Sequence, residues 1–415
     1  MRKKLISLVL VLLLLVVGVV GCGAKKDETE KETEAEVEDT EVEAEDTEDE
    51  AEDTEDEAEE TEAEVEEDTE SEETAESGDI KDEYTFEVVS KGFQSTYWQA
   101  VLKGFEKGVA DLEAEHNIKI NYNFIGPDSE SDTAVQKQQF ESAVNVGPDA
   151  LGLAAIDTNA LLDPVQKALD ENIPIIGFDS GVPDAPEGAI YANASTDNYV
   201  AGGIAADGLY EKVKDRLGEG SVIGLVAQDT TSESVVSRGV GFIDRIIELL
   251  TEDDLTVFVI GNEKYVSDSK DSTAASESEA DVIINARAAA QTTVELCATE
   301  ATVLLNDPNI VGIFGSNQVA AEGIISANTN LNVTGSDDDQ IIAVGFDSGS
   351  VIKENVSSGV MYGAVTQAPV AIGEITAKLM FDVSNGVTVE DTDTGAQFYT
   401  AENIESEEIA QNLYD

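Results

Sequence analysis

Two carboxylates lie within the same five-residue motif in separate parts of the sequence. Gly177-Phe178-Asp179-Ser180-Gly181 returns as Gly345-Phe346-Asp347-Ser348-Gly349, and each copy follows a short apolar run. A short apolar run that ends at glycine is typical of a strand buried on both faces, as in a parallel sheet. Ligands of open α/β sheets bind beyond the carboxyl ends of the strands, where Asp179 and Asp347 fall. Ionised carboxylates accept hydrogen bonds from hydroxyl groups, so the pair predicts a hydroxyl-rich ligand between two similar halves. Turn chemistry explains either copy alone, but it does not explain the repeated apolar lead-in.

An aromatic pair lies at the turn between the first predicted strand and the first predicted helix. Trp98 is the only tryptophan of the chain and directly follows Tyr97. Sugar rings present C–H faces that stack on aromatic rings, so this pair is a candidate sugar platform. Packing of both rings as core residues against the first helical turn explains either of them equally well.

Three further polar side chains fall where a ligand could reach them. Arg238 lies near the start of the helix predicted at 234–250, where its guanidinium could donate hydrogen bonds to a ligand, although a surface ion pair also explains this arginine. Asn317 follows a predicted strand, where a helix N-cap is the simpler explanation. Gln367 falls where the chain would pass from one domain to the other.

Several catalytic classes are excluded by the residues present. His116 is the only histidine, so Ser-His-Asp and His-metal arrangements are absent, and no phosphate-binding loop of the Gly-x-x-x-x-Gly-Lys type occurs. Gly218-x-Gly220-x-x-x-Gly224 precedes a predicted strand and has the wrong spacing for a dinucleotide. Asp179 and Asp347 could in principle hydrolyse a glycosidic bond, but two mobile halves suit gripping better than catalysis. We therefore expect a binding protein without catalytic activity, cofactor or metal.

The charge and the N-terminus indicate a location outside the cytoplasm. The formal net charge of −65 excludes nucleic acid as a partner, and residues 27–79 hold 32 acidic residues against one lysine. A basic start and an apolar stretch at 5–20 precede Val19-Val20-Gly21-Cys22. This pattern resembles a bacterial lipobox, which predicts a signal peptide at 1–21 and a lipid on Cys22, with an uncleaved membrane anchor as the alternative. Residues 22–79 are then expected to be a disordered acidic tether at the outer face of the cytoplasmic membrane.

From residue 84 onward, short apolar runs alternate with helical patterns, which predicts an α/β fold with parallel sheets. Helices are expected at 96–115, 131–146, 159–171, 234–250, 284–305 and 370–383, with an inserted loop before the fifth. Strands are expected at 86–89, 118–124, 150–153, 173–178, 222–226, 255–259, 310–314, 341–346 and 362–365. The tail from Phe398 is interpreted as a returning segment with a small helix, and Cys297 as a core residue of a helix.

Seven short motifs, in order, resemble the type I periplasmic binding proteins, and among them the ribose-binding-protein-like sugar receptors of ABC importers. The resemblance covers about residues 84–405. The motifs are Pro148-Asp149-Ala150, Ile173-Pro174-Ile175-Ile176-Gly177-Phe178-Asp179, Thr196-Asp197-Asn198-Tyr199-x-x-Gly202, Ser237-Arg238-Gly239-x-Gly241-Phe242, Ile313-Phe314-Gly315-Ser316-Asn317, Val344-Gly345-Phe346-Asp347 and Thr366-Gln367-Ala368-Pro369.

The resemblance implies a set of ligand contacts and leaves the identity of the sugar open. The implied contacts are Lys91, Ser95, Tyr97, Trp98, Asp179, Arg238, Asn317, Asp347 and Gln367. The ribose receptors have Arg at the position of Ser180 and Asn at that of Ser95, which puts ribose itself in doubt. Lys91 and Gly126-Pro127 resemble the autoinducer-2 receptors, whose Asp-Gln pair is not evident at 232–235.

The resemblance also implies two Rossmann-like lobes joined by a three-segment hinge. The expected lobes are 84–195 with 368–397 and 196–367 with 398–415, with hinge crossings near 195–196, 366–367 and 398–400. The implied function is capture of a small neutral sugar or polyol by a monomer, for delivery to an ABC permease and its ATPase. A receptor for a sugar-like signal such as autoinducer-2 is the alternative. A sugar-responsive repressor is disfavoured by the leader and by the absence of a DNA-binding segment before residue 84.

Overall fold

The computed structural model describes residues 80–337 and 339–415. The predicted signal peptide, the lipidation site Cys22 and the acidic tether lie outside the described residues. Within the described ranges, no helix combines the length and the hydropathy that crossing a bilayer requires.

The first lobe is built around a six-stranded sheet with helices on both faces. Its N-terminal part alternates strands and helices as the sequence predicts. The elements are β1 (Glu83–Val89), α1 (Thr96–His116), β2 (Lys119–Ile125), α2 (Thr133–Val146), β3 (Ala150–Leu153), α3 (Thr158–Asp170), β4 (Ile175–Phe178) and β5 (Ile190–Ser195).

The second lobe is built around a seven-stranded sheet and begins directly after β5. Its elements are α4 (Asn198–Val213), β6 (Ser221–Ala227), α5 (Glu233–Glu252), β7 (Val257–Gly261), α6 (Glu263–Asp268), β8 (Val282–Ala288), α7 (Val294–Leu305), β9 (Ile310–Gly315), α8 (Gln318–Leu331), β10 (Ile342–Phe346), α9 (Ser350–Ser357) and β11 (Gly363–Gln367).

The chain then returns to the first lobe and leaves it again. Helix α10 (Pro369–Ser384) and the short strand β12 (Thr392–Asp393) complete the first lobe, whereas β13 (Ala396–Thr400) and α11 (Glu407–Ala410) belong to the second. Three segments therefore connect the lobes, at 195–198, 367–369 and 393–396. The resemblance implied that the third connection lies near residues 398–400. It lies earlier in the chain, at 393–396, because β13 pairs along its whole length with β11.

The two sheets repeat one topology. The first has the strand order β12-β5-β4-β3-β1-β2, and the second has β13-β11-β10-β9-β6-β8-β7. Without β7, the second order matches the first strand for strand, so that β10 corresponds to β4 and β11 to β5. All pairs are parallel except that of β11 with β13. Because β4 and β10 are equivalent, the two Gly-Phe-Asp-Ser-Gly turns occupy equivalent positions in the two lobes.

One predicted helix is wrong in its N-terminal half. Residues 284–305 were expected to be helical, but Val282–Ala288 form β8, and the helix begins only at Val294. The segment pairs on both sides, with β6 and with β7, and these ladders override the local helical pattern. The expected inserted loop, residues 267–283, begins at the end of α6, and the backbone N–H groups of Thr273 and Ala274 donate to Val257 O of the edge strand β7. Every other predicted strand and helix is present, with ends within three residues of those expected.

Helix pairs cross closely in both lobes because each partner has a glycine at the crossing. In the first lobe, a Cβ added at Gly104 would lie 1.9 Å from the Val370 carbonyl oxygen, and one at Gly373 would lie 2.0 Å from that of Val101. In the second lobe, Gly202 and Gly241 are equally close to backbone oxygens of the facing helix, at 2.0 and 2.1 Å. Glycine therefore fixes the packing of α1 on α10 and of α4 on α5.

We expect Gly202→Ala to lower the free energy of unfolding by about 1–3 kcal/mol, since the added methyl group forces the two backbones apart. Gly203→Ala is the matched control on the same helix, because its Cβ would meet only Arg245 side-chain carbons at 3.7 Å or more. The control should be stabilising by up to about 1 kcal/mol through helix propensity. Urea unfolding of both variants measures the difference, and equal effects of the two changes would refute the crossing argument.

Candidate functional site

A cavity of about 190 Å³ lies between the lobes, at the carboxyl ends of the strands of both sheets. All nine residues that the sequence singled out line it, so the fold brings together side chains from both lobes. They are Lys91, Ser95, Tyr97, Trp98, Asp179, Arg238, Asn317, Asp347 and Gln367.

The two aspartates have the same unusual backbone conformation. Asp179 and Asp347 have φ angles of 57° and 73°, in the left-handed region that residues other than glycine seldom occupy. The backbone N–H of each donates to the next strand of its sheet, to Ala194 O at 3.0 Å and to Val365 O at 2.7 Å. Asp and Asn tolerate this region better than other side chains, and strained residues cluster at functional sites. The repeat thus aims two buried carboxylates into one cavity by equivalent turns.

Asp179 is held by the first lobe and is linked to the second through Lys91. The Tyr97 hydroxyl donates to Asp179 Oδ1 at 2.5 Å, and Lys91 Nζ lies 3.0 Å from Asp179 Oδ2. Lys91 Nζ also donates to the hydroxyls of Ser232 and Ser234 of the second lobe, each at 3.1 Å. Burial opposes the charge on Lys91, but Asp179 and the carboxylates around it outweigh burial and raise the lysine pKa. Lys91 is therefore a buried cation that spans the cleft.

Asp347 is held entirely within the second lobe. Its Oδ2 accepts from the Gln318 backbone N–H at the start of α8 at 3.0 Å, and its Oδ1 accepts from Gln367 Nε2 at 2.7 Å. Burial raises the pKa of Asp347 above its ordinary value, although Arg238, Gln367 and Gln318 act in the opposite direction. The geometry leaves this carboxylate rigid and poorly solvated.

Arg238 is a buried cation, so the alternative of a surface ion pair is wrong: only 2% of the residue is exposed. Its guanidinium donates to Ser316 O at 2.8 Å and to Asn198 Oδ1 at 2.6 Å, and it stacks on the Phe346 ring at 3.5 Å. These contacts fix the plane of the guanidinium without a carboxylate in direct contact.

Some buried polar atoms at the cavity have no protein partner among the described residues. These are Arg238 Nε, Gln367 Oε1 and Gln318 Oε1. Buried polar groups are almost always hydrogen-bonded, so one donor and two acceptors are available to groups of a ligand. A molecule with several hydroxyls, each both donor and acceptor, matches this set.

The aromatic pair belongs to the cavity wall and to the core at once. Tyr97 and Trp98 meet edge to face, with ring centroids 5.0 Å apart, and Tyr97 also packs on Tyr414 near the C-terminus. Trp98 is fully buried, and its ring packs on Phe178. Core packing of the pair is therefore confirmed, and the same packing positions both rings at the cavity, where the sugar platform stays a prediction.

Asn317 and Ser95 combine cavity lining with helix capping. Asn317 Oδ1 accepts from the Ala320 N–H at the start of α8, and its Nδ2 donates to Gln228 Oε1. Ser95 Oγ accepts from the Trp98 N–H at 3.4 Å. The capping explanation of Asn317 is confirmed, and it places the amide at the cavity.

Sequence reasoning missed seven residues of the lining: Glu130, Gln228, Ser234, Val235, Gln318, Val319 and Glu322. Gln228 directly follows β6, so the rule that selected Asp179 would have selected Gln228 as well. Glu130 lies in the loop after β2, where nothing in the sequence marks it. The remaining five residues lie in the first turns of α5 and α8 and reach the cavity because these helices begin there.

The lobes touch directly around the cavity. Ser180 Oγ lies 3.1 Å from Ser232 Oγ and accepts from the Ser234 N–H at 3.3 Å. The Thr231 hydroxyl donates to Ile156 O of the first lobe at 3.2 Å. These polar contacts describe a closed arrangement.

We expect Asp347→Asn to stabilise the ligand-free protein at pH 7, because it removes a poorly solvated charge while Gln367 can turn its unpaired Oε1 toward the new amide. A carboxyl group with a raised folded-state pKa binds its proton more tightly in the folded state. Its stabilising contribution is therefore present at low pH and is lost as pH rises through the folded-state pKa. The advantage of the variant should shrink as pH falls toward 3.8, the ordinary value for Asp347.

Thermal unfolding between pH 4 and pH 8 tests this, with the exposed Asp128→Asn in the loop after β2 as the control. A variant less stable than the parent at pH 7 would show that the bonds of the ionised Asp347 outweigh its burial.

Comparison with known proteins places this architecture among solute receptors. A family model described as "Periplasmic binding protein domain" matches residues 86–388. The chain is 24% identical over 323 residues to the D-allose-binding periplasmic protein of Escherichia coli, covering 77% of this chain and 90% of that protein.

Two solved structures are similar over 80% of this chain and 99% of theirs. One, from Brachyspira murdochii, is described as an ABC transporter, LacI family transcriptional regulator (TM-score 0.66, 30% identity). The other is a carbohydrate transporter solute binding protein from Agrobacterium radiobacter in complex with D-arabinose (TM-score 0.64, 28% identity).

Proposed function

We propose that this protein, which belongs to the periplasmic binding protein family, captures a single small neutral sugar or polyol between its lobes and delivers it to an ABC importer. The observation that carries the proposal is the buried cavity between the lobes, where two equivalent carboxylates, Arg238 and an aromatic pair converge. We further propose that a lipid on Cys22 anchors the protein, as a monomer, at the outer face of the cytoplasmic membrane.

The family and the fold are established independently of the ligand. The two lobes have the type I periplasmic binding protein architecture, and the related proteins are sugar-binding transport proteins rather than enzymes. The role proposed for Asp179 and Asp347 is accordingly that of hydrogen-bond acceptors and not that of a hydrolytic pair.

The size of the cavity favours one ring. An engineered cavity of roughly 150 Å³ holds benzene, a six-membered ring. The cavity of about 190 Å³ is therefore matched to a monosaccharide or a polyol of similar size. A disaccharide would require a second space of the same order.

The charge of the lining favours a neutral ligand. Four carboxylates line the cavity, those of Glu130, Asp179, Glu322 and Asp347, against the two cations Lys91 and Arg238. A phosphorylated sugar would bring a further anion into this surplus of negative charge, and like charges at close range repel strongly. Hydroxyls, in contrast, can donate to carboxylates at no cost in charge.

Closure around the ligand supplies the mechanism. Asp179, Tyr97 and Trp98 belong to the first lobe, whereas Arg238 and Asp347 belong to the second. A ligand bonded to both sets stabilises the closed population by its differential affinity for that state. The closed surface is then what the permease would recognise.

A thermal-shift screen against pentoses, hexoses, polyols and autoinducer-2 tests the proposal, with the chain expressed without residues 1–22. A ligand at 100 times its Kd stabilises the folded state by about 2.7 kcal/mol, so a cognate sugar should shift the midpoint clearly. A shift with a monosaccharide, abolished by Asp347→Ala, supports the importer. A shift with autoinducer-2 alone would favour the signalling receptor, for which the buried Lys91 at the cavity is the supporting observation. No shift with any of them would overturn the sugar assignment.

We expect Cys22→Ala to release the full-length protein from the membrane fraction, because the substitution removes the sulfur that would carry the lipid. Fractionation and incorporation of labelled palmitate measure the change. Retention of the variant at the membrane would indicate an uncleaved apolar anchor in place of a lipid.

A further inference from the structure

A second cavity lies beside the candidate sugar site, on the far side of one shared side chain. It measures about 220 Å³ and is also formed between the lobes, by residues such as Thr133 and Asp157 of the first and Thr230 and Gln291 of the second. Glu130 lines both cavities. The two cavities also meet on the side of the second lobe, where Gln228 lines the sugar cavity and the next residue, Asp229, lines the neighbouring one.

Glu130 and Gln228 bond to each other across the cleft at this junction. Gln228 Nε2 donates to Glu130 Oε2 at 3.1 Å, from the second lobe to the first. The bridge is held at both ends: Trp98 Nε1 donates to Glu130 Oε1 at 2.8 Å, and Asn317 Nδ2 donates to Gln228 Oε1. Lys91 adds electrostatic attraction for Glu130. Both side chains thus have their polar atoms satisfied by the protein alone.

The neighbouring loop contacts reinforce the same closure. The Ser131 hydroxyl donates to Thr292 O of the second lobe at 3.3 Å, directly beside Glu130. Within the second lobe, Gln228 Nε2 also donates to Asp229 Oδ2 at 3.1 Å, which helps to orient its amide. The bridge therefore forms together with the closed state and separates the two spaces when the lobes meet.

We infer that the Glu130–Gln228 bridge is a partition that limits the ligand to one sugar ring. This inference rests on the proposed function, because it assigns the specificity of the same site. A ligand with a second ring at this end must break a charge-assisted hydrogen bond and displace two anchored side chains. Such a ligand should bind at least about 10-fold more weakly than the monosaccharide it contains. Because Glu130 lines both cavities, of about 190 and 220 Å³, we expect its removal to join them into one larger space.

Isothermal titration calorimetry with a monosaccharide panel and with maltose, cellobiose, lactose, melibiose and xylobiose tests the inference. We expect the parent protein to bind a monosaccharide and to bind the disaccharides that contain it at least about 10-fold more weakly. Glu130→Ala and Gln228→Ala should each strengthen the binding of at least one of those disaccharides about 10-fold or more, whatever they do to the monosaccharide. Glu130→Gln keeps a side chain of nearly the same volume between the two cavities, so this variant should still exclude the disaccharides. Asp128→Ala, an exposed carboxylate of the same loop, is the control and should match the parent for every sugar.

The outcomes separate this inference from the proposed function. If the parent binds no sugar of the panel, the proposed function fails. If it binds monosaccharides and their disaccharides equally well, the partition is refuted while the sugar receptor stands, and this result needs no variant to fold. If Glu130→Ala and Gln228→Ala both fold and both still exclude every disaccharide, the size limit lies elsewhere in the closed interface, and the inference is overturned.

Discussion

Replacing Arg238 by alanine should weaken binding of the cognate sugar by about 10-fold to 150-fold, because a hydrogen bond from a charged group contributes about 1.5–3 kcal/mol. The guanidinium is 2% exposed and is fixed by Ser316 O, Asn198 Oδ1 and the Phe346 ring. Its Nε has no partner among the described residues and is available to a ligand. Loss of the side chain also removes the cation that most opposes the burial of Asp347, the second carboxylate of the site.

Arg238→Lys should also fail to restore tight binding. An ammonium group is a point charge without the planar fork, so it cannot satisfy Ser316 O, Asn198 Oδ1 and a ligand oxygen together. We expect an affinity at least about 10-fold below that of the parent.

Arg245→Ala is the matched control for both changes. Arg245 lies two turns further along α5, is about one-third exposed, and pairs with Asp207 and Glu248 at the surface. Exposed pairs contribute about 0–1 kcal/mol to stability, and the affinity for the sugar should not change. Titration calorimetry of the three variants makes the comparison. Equal affinities of Arg238→Ala and the parent would place the ligand away from α5.

The alternation of strands and helices, and the bounds of the strands that were predicted, could be found from the sequence because those strands are short apolar runs. Strands β4 and β10 are fully buried apolar runs that each end in Gly-Phe, and the structure places them at equivalent positions of the two sheets. Strand β8 could not be predicted in the same way. In the structure, buried and half-buried residues alternate along β8, but in the sequence the same residues also fit the helical pattern that continues to residue 305. The segment is a strand because it pairs with both β6 and β7.

The cavity residues could be predicted wherever a polar side chain directly follows a strand. Asp179 and Asp347 satisfy that rule, Asn317 lies two residues after β9, and Gln228 satisfies the rule without having been selected. Glu130 could not be found from local sequence, since it lies at the cavity only because Trp98 and Gln228 hold it there from other parts of the chain. Such contacts between lobes depend on the geometry of closure and leave no local pattern.

Asp179→Asn should weaken sugar binding by more than about 100-fold, mainly because it strands a buried charge. Lys91 is 4% exposed, and Asp179 is the carboxylate in direct contact with its ammonium group. Removing one partner of a buried pair costs about 3–5 kcal/mol. The protein can escape that cost by opening, since the serines that cover Lys91 belong to the second lobe. The penalty therefore appears as lost affinity, because the ligand requires the closed state.

The same reasoning predicts that a second substitution partly restores binding. In the double variant Lys91→Met and Asp179→Asn, no stranded charge opposes closure, so the double variant should bind the sugar more tightly than Asp179→Asn alone. Coupling energies between contacting residues reach about 0.5–3 kcal/mol, which calorimetry resolves. The exposed pair Lys107 and Asp111 on α1 supplies the control cycle, in which Lys107→Met and Asp111→Asn should leave the affinity unchanged. If the losses at Lys91 and Asp179 simply add, the ammonium group remains solvated in the complex, and the closed arrangement with Lys91 spanning the cleft is not the state that binds the sugar.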